Sequence, residues 1–111
     1  MSKTVSFASE KWGGSVVFRD PLTIEQEAAW EYAIADFQAA RGRGGGLSAQ
    51  TAALWPGIDA CVEKWELNGL PERITLANFP AHPKAERAKL IAWLVTNITE
   101  LYNDSVTVPN A

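Results

Sequence analysis

The sequence predicts an α+β domain that is mainly α. An N-terminal β-hairpin is followed by three principal helices in a small bundle, with a short helical turn before the last helix. Three observations carry this. Val5 and Phe7 alternate with Thr4 and Ser6 ahead of Gly13-Gly14 and the β-branched and aromatic run Val16-Val17-Phe18. Three later segments repeat apolar residues at spacings of three and four. Breakers rich in Gly and Pro separate those segments. The 111 residues, 47% hydrophobic and 21% charged, suit a single domain over 1–111. A chain of this length buries most of its apolar surface without a metal or a disulfide.

Residues 3–19 form the expected hairpin, with Gly13-Gly14 as its turn. A lone hairpin is marginal in water, so it must lie on the helices or pair with another chain. Asp20-Pro21 ends it, and the first helix is expected over residues 23–41. Thr23-Ile24-Glu25-Gln26 reads as a capping box, and Glu25 and Glu27 sit where the helix dipole favours acids. Trp30, Ala33, Ile34 and Phe37 make its apolar stripe. Residues 42–47 then form a Gly-rich linker, expected to be flexible.

The second helix is expected over residues 48–68. Leu47, Thr51, Leu54, Ile58, Cys61 and Trp65 recur at four and three, and Val62 widens the face. Pro56 predicts a kink or a restart at Trp55. Asn68-Gly69 closes the helix, with Gly69 in the left-handed position after its end. The stretch WELNGLPERITLANFP thus reads as a joint rather than a site. Thr75 caps a short turn over residues 75–79, and Leu70, Ile74, Leu76 and Phe79 are its apolar pegs.

The third helix is expected over residues 83–103, with Pro83 at its first position. Ala88, Ile91, Leu94 or Val95, Ile98 and Leu101 form one stripe, broadened by Leu90, Trp93 and Tyr102. So wide a face predicts two neighbours, either both other helices or one helix and another subunit. Residues 104–111 are a tail that frays or adds a short strand through VTV.

The totals exclude several classes. A net charge of −3 offers no positive field to nucleic acid or an anionic membrane. One Cys and one His allow no internal disulfide and no ordinary zinc site, which fits a reducing compartment. No segment has the length of a signal peptide's apolar run or the roughly 18 apolar residues of a membrane span. The expectation is a cytoplasmic protein with no cofactor and no metal.

Each candidate for chemistry has a plainer reading. RGRGGG lacks the Lys-Ser/Thr of a phosphate loop and follows a helix, so it is read as a linker. His82 has no nucleophile or orienting acid identifiable beside it and is read as an exposed capping residue. Cys61 lies on the apolar stripe and is read as a buried small hydrophobe. The pairs Glu63 with Glu66 and Glu25 with Glu27 suit a solvated face. Lys84, Arg87 and Lys89 give the third helix a basic start that its dipole disfavours. Either a partner's acids meet them or they are solvated, the simpler account. No catalytic residue is expected.

The five Trp carry the most information. Trp30, Trp65 and Trp93 fall on or beside helical stripes. Trp12, at the hairpin tip, is expected to be an exposed interface anchor. Trp12, Val16 and Phe18 form one candidate surface for a protein partner, and Trp93 with Tyr102 forms another. On this reading Trp12→Ala leaves the fold intact and weakens binding.

Taken in order, the short β element, DPLTIEQ, WPGIDACVEKWELNGLP, TLANFPAHP, KLIAWLVTNITELYN and VPNA resemble small tail assembly chaperones of long-tailed bacteriophages and prophages. The resemblance spans nearly the whole chain through packing and turn motifs. It implies a non-catalytic role in the bacterial host cytoplasm. Such proteins cover the apolar helices of the tape measure protein until tail-tube subunits polymerise around it, which makes the tape measure protein and the major tail protein the implied partners. The competing reading is a structural tail or connector subunit, a homo-oligomer that self-assembles through its β-hairpin. A small hydrolase would need a cluster of acid, base and nucleophile that these residues do not offer.

Overall fold

A computed structural model describes residues 2–106. The strands β1 (Ser2–Phe7) and β2 (Gly14–Arg19) pair antiparallel, from Ser2 opposite Arg19 to Phe7 opposite Gly14. Helix α1 (Ile24–Gly42), helix α2 (Leu47–Cys61), strand β3 (Val62–Leu67) and helix α3 (Lys84–Val106) follow. The architecture is α+β and mainly α.

The start of α1 is the capping box that TIEQ encodes. The Gln26 N–H donates to Thr23 Oγ1 at 3.2 Å, and the Thr23 N–H donates to Gln26 Oε1 at 2.9 Å. Its end departs from expectation, because RGRGGG is an ordered cap rather than a flexible linker. The Gly45 N–H donates to the Ala40 carbonyl and the Gly44 N–H to the Arg41 carbonyl, and Gly44 has φ +76°. That pair of bonds around a left-handed glycine is a Schellman motif, which satisfies carbonyls the helix would otherwise strand. Gly46 then caps α2, so four residues, Arg43 to Gly46, separate the two helices.

Of the expected kink or restart at Trp55, the restart does not occur: helix α2 runs without a break through Pro56. The glycine after it lets α1 and α2 approach closely. A Cβ built on Gly57 would lie 2.6 Å from Ala33 Cβ and 2.8 Å from Trp30 Cε3. Gly57→Ala is therefore expected to lower stability by about 1–3 kcal/mol as an overpacked contact, measured by chemical unfolding. An unchanged midpoint would contradict this helix spacing.

The larger correction concerns residues 62–68, which are not helix. Val62 takes an extended backbone (ψ 127°) directly after Cys61, and β3 pairs antiparallel with β2. The sheet order is β1-β2-β3, so β2 is central. A register shift between Val17 and Phe18 places Phe18 opposite Val62 and Val17 opposite Lys64, leaving Glu63 as the additional residue. This bulge explains how Val62 and Trp65, three apart, are both buried while Trp65 and Leu67 alternate normally. Gly69 does need its left-handed φ of +77°, but in the turn that follows a strand, closed by the Leu70 N–H on the Leu67 carbonyl.

The segment after β3 is a plug for the core. Ile74 is fully buried, and the Phe79 ring lies 5.4 Å from Trp55 and 6.0 Å from Trp12. Thr75 and Asn78 cap each other reciprocally in the expected short turn. Leu76 stays exposed. Trp55 stacks on Trp65 at 5.9 Å with an interplanar angle of 3°, tying α2 to β3.

Pro83 immediately precedes α3, its carbonyl accepting from the Arg87 N–H. The wide face of this helix is used within the chain: Leu90, Leu94 and Ile98 are fully buried, and Trp93 leans on Phe7 and Phe18 of the sheet. Val106 belongs to α3; the rest of the expected VTV strand lies outside the described residues. No described helix is long and apolar enough to cross a membrane.

Candidate protein-binding site

Of the two surfaces expected from sequence, the first does not exist. Trp12 is 2% exposed, and Val16 and Phe18 are wholly buried. The hairpin connection folds back onto the body of the protein. Ser9 Oγ accepts from the Trp12 N–H at 3.1 Å and donates to Glu86 Oε2 at 2.7 Å, fastening the loop to the first turn of α3. That tether drives the indole against Phe79. Val16 and Phe18 are buried because β2 carries a strand on each side and α3 packs against the sheet.

The second surface divides. Residues 93 and 102 are nine apart, so at 100° per residue they project about 180° from each other. Trp93 is half-buried and lies 4.9 Å from Phe7, on the sheet side of α3. Tyr102 lies on the opposite side, where it borders a groove between α1 and α3.

The groove has a volume of about 360 Å³ and is lined by Trp30, Glu31, Ile34, Thr99, Tyr102 and Asn103. Trp30, 3% exposed, and half-buried Ile34 supply its apolar lining, one turn apart on α1. The Tyr102 hydroxyl donates to the Glu31 carboxylate across it. That hydrogen bond, more than any other influence, raises the Tyr102 pKa above its usual value. With an ordinary value of 10.0, already above physiological pH, the phenol is protonated there and keeps the bridge. Ile24 and Tyr32 on α1 are also exposed, but isolated exposed apolar residues are normal on any protein surface. The concavity distinguishes the groove. Sequence reading had assigned Trp30 and Ile34 to the core stripe alone. The signal that could have found the site was the polar-aromatic set Thr99, Tyr102 and Asn103 near the end of α3, with Tyr102 projecting opposite to Trp93.

The candidate chemical residues have other surroundings. His82 is exposed in the segment before α3. Cys61 is wholly buried, with its thiol directed at the Gln26 carbonyl at 3.9 Å. Burial pushes its pKa up to about 12, against a smaller opposing effect from Arg19, whereas catalysis needs an easily formed thiolate. Because the folded value lies above the ordinary 9.0, this thiol's contribution to stability is full below pH 9 and is lost as the pH rises toward 12. In folded protein at pH 8, Cys61 is expected to resist iodoacetamide until denaturant is added; alkylation at the rate of a free thiol would contradict the burial. Among the described residues, no three His, Cys, Asp or Glu side chains are grouped to hold a metal ion.

Comparison with protein-family models, curated proteins and solved structures finds no match to this chain.

Proposed function

We propose that this chain is a non-catalytic tail assembly chaperone of the long-tailed phage type, acting in the bacterial host cytoplasm, and that the α1–α3 groove receives apolar side chains from tape measure protein helices. The observation that carries this reading is the groove itself, with Trp30 and Ile34 in its lining and Tyr102 bordering it. A helix laid between two helices presents anchors at spacings of three, four and seven, which such a channel accommodates. Tyr and Trp combine apolar area with a polar tip, which suits a surface that must release its client when tube subunits arrive. The net charge of −3 keeps the chaperone in solution while it is bound to an apolar client.

The test is co-expression with the tape measure protein encoded in the same genome. The wild-type chain keeps that client in the soluble fraction, whereas Ile34→Ser, with an unchanged circular dichroism spectrum, returns most of it to the pellet. Equal client solubility with the wild type, the variant and no chaperone would contradict the reading.

A further inference from the structure

A second concavity, on another part of the molecule, contains a charge that the fold leaves without an opposite partner. Arg87, in the first turn of α3, is only 7% exposed. Its Nη1 donates to Ser48 Oγ at 3.3 Å, and its buried Nε has no hydrogen-bond partner. Two ion pairs form among the described residues, Arg19 with Glu63 and Lys64 with Glu66, and Arg87 belongs to neither. A guanidinium cannot escape burial by losing its proton. Holding one away from water without a counter-ion is among the more destabilising arrangements a fold can contain. An anionic ligand beside it would offset that cost.

The surroundings indicate what kind of ligand. Arg87 lines a cavity of about 310 Å³ together with Ser48, Thr51, Leu76, Phe79 and Ala81. Ser48 lies in the first turn of α2, a 15-residue helix whose N-cap is Gly46, with no capping side chain and no acidic residue in that turn. The positive end of the α2 dipole thus adds to the guanidinium instead of being neutralised by the chain itself. The remaining wall is apolar, and Leu76 on it is 46% exposed. One full positive charge and one helix terminus match a single negative charge better than the nearly double charge of a phosphate monoester. The apolar wall calls for a hydrocarbon or aromatic group attached to that charge.

We propose that this cavity is a binding site for a carboxylate borne on an apolar group, gripped by Arg87 and the N-terminal turn of α2. It is separate from the α1–α3 groove and does not depend on the chaperone reading. A small aromatic acid and the C-terminal carboxylate of a peptide ending in an apolar residue share this chemistry.

The experiment is a titration of the full chain followed by amide NMR, with benzoate, benzamide, inorganic phosphate, and a short peptide ending in phenylalanine as the free acid or the amide. Benzoate and the free-acid peptide are expected to shift the Ser48, Thr51 and Phe79 resonances, while benzamide, the peptide amide and phosphate do not. Stronger binding of the peptide acid than of benzoate identifies a protein terminus as the source; comparable binding identifies a small acid. Arg87→Met is expected to weaken binding by about ten-fold or more while its unfolding midpoint stays level or rises, because it removes an uncompensated buried charge. If that variant does not fold, Ser48→Ala and Leu76→Ala test the two halves of the site separately, each reducing affinity. Absence of shifts with either carboxylate, equal shifts with benzamide, or preference for phosphate overturns the proposal.

Discussion

Replacing Trp12 with alanine is expected to destabilise the fold by about 3–5 kcal/mol, the range for truncating a large buried aromatic. At 2% exposure, and with its ring 6.0 Å from Phe79, the indole fills the space between the hairpin connection and the segment that precedes α3. Phe79 in turn reaches Trp55, so the loss propagates to the α2–β3 stack. The sequence alone suggested the reverse, a variant that folds normally and binds poorly. Guanidinium unfolding distinguishes the two. A midpoint close to wild type would return Trp12 to the surface and undermine the packing described for this end of the molecule.

Phe18→Ala is expected to have an effect of similar size, about 3–5 kcal/mol. Phe18 is fully buried on the central strand, opposite Val62 at the bulge and 5.8 Å from Trp93. Phe18→Leu, which keeps a large apolar side chain while losing the ring contact with Trp93, is expected to cost clearly less than Phe18→Ala, which ties the loss to packing rather than to the strand backbone. Light scattering provides the contrast. If the hairpin assembled the protein through Phe18, the alanine variant would change in mass and keep its monomer stability; we expect the mass to stay constant and the stability to fall.

The parts of the fold that were legible in sequence are those governed by local chemistry. TIEQ specified its capping box, and the stripe Thr51, Leu54, Ile58, Cys61 is buried as its spacing requires. The third strand was not legible because Cys61, Val62 and Trp65 suit a helical stripe as well as a strand with one bulged residue. Only pairing with β2, 44 residues earlier at Phe18–Val62, decides between them. Glycine marks special backbone in the sequence without showing which element it serves. Gly69 serves a strand's turn, and Gly44 fixes a cap where RGRGGG suggested slack chain. The candidate surface failed for a related reason. Proximity to a turn argued that Trp12 was exposed, but the Ser9–Glu86 tether and the Phe79 contact join positions more than 65 residues apart, as the spacing from 9 to 86 and from 12 to 79 makes plain. Tyr102 borders the α1–α3 groove whereas Trp93 meets the sheet, because the helix turns them to opposite sides.

Two binding modes remain distinct in this architecture. A client helix in the groove would cover α1 and the last turns of α3, whereas self-assembly by strand addition would have to use an outer edge of the sheet, β1 or β3, since β2 is paired on both sides. Hydrogen exchange on the chain mixed with its proposed client, the tape measure protein, separates them most directly. The account predicts added protection around Trp30–Ile34 and Thr99–Asn103, with the amides of Ser2–Phe7 and Val62–Leu67 unchanged. Protection confined to those strands, with α1 and α3 exchanging as in the free protein, would contradict it.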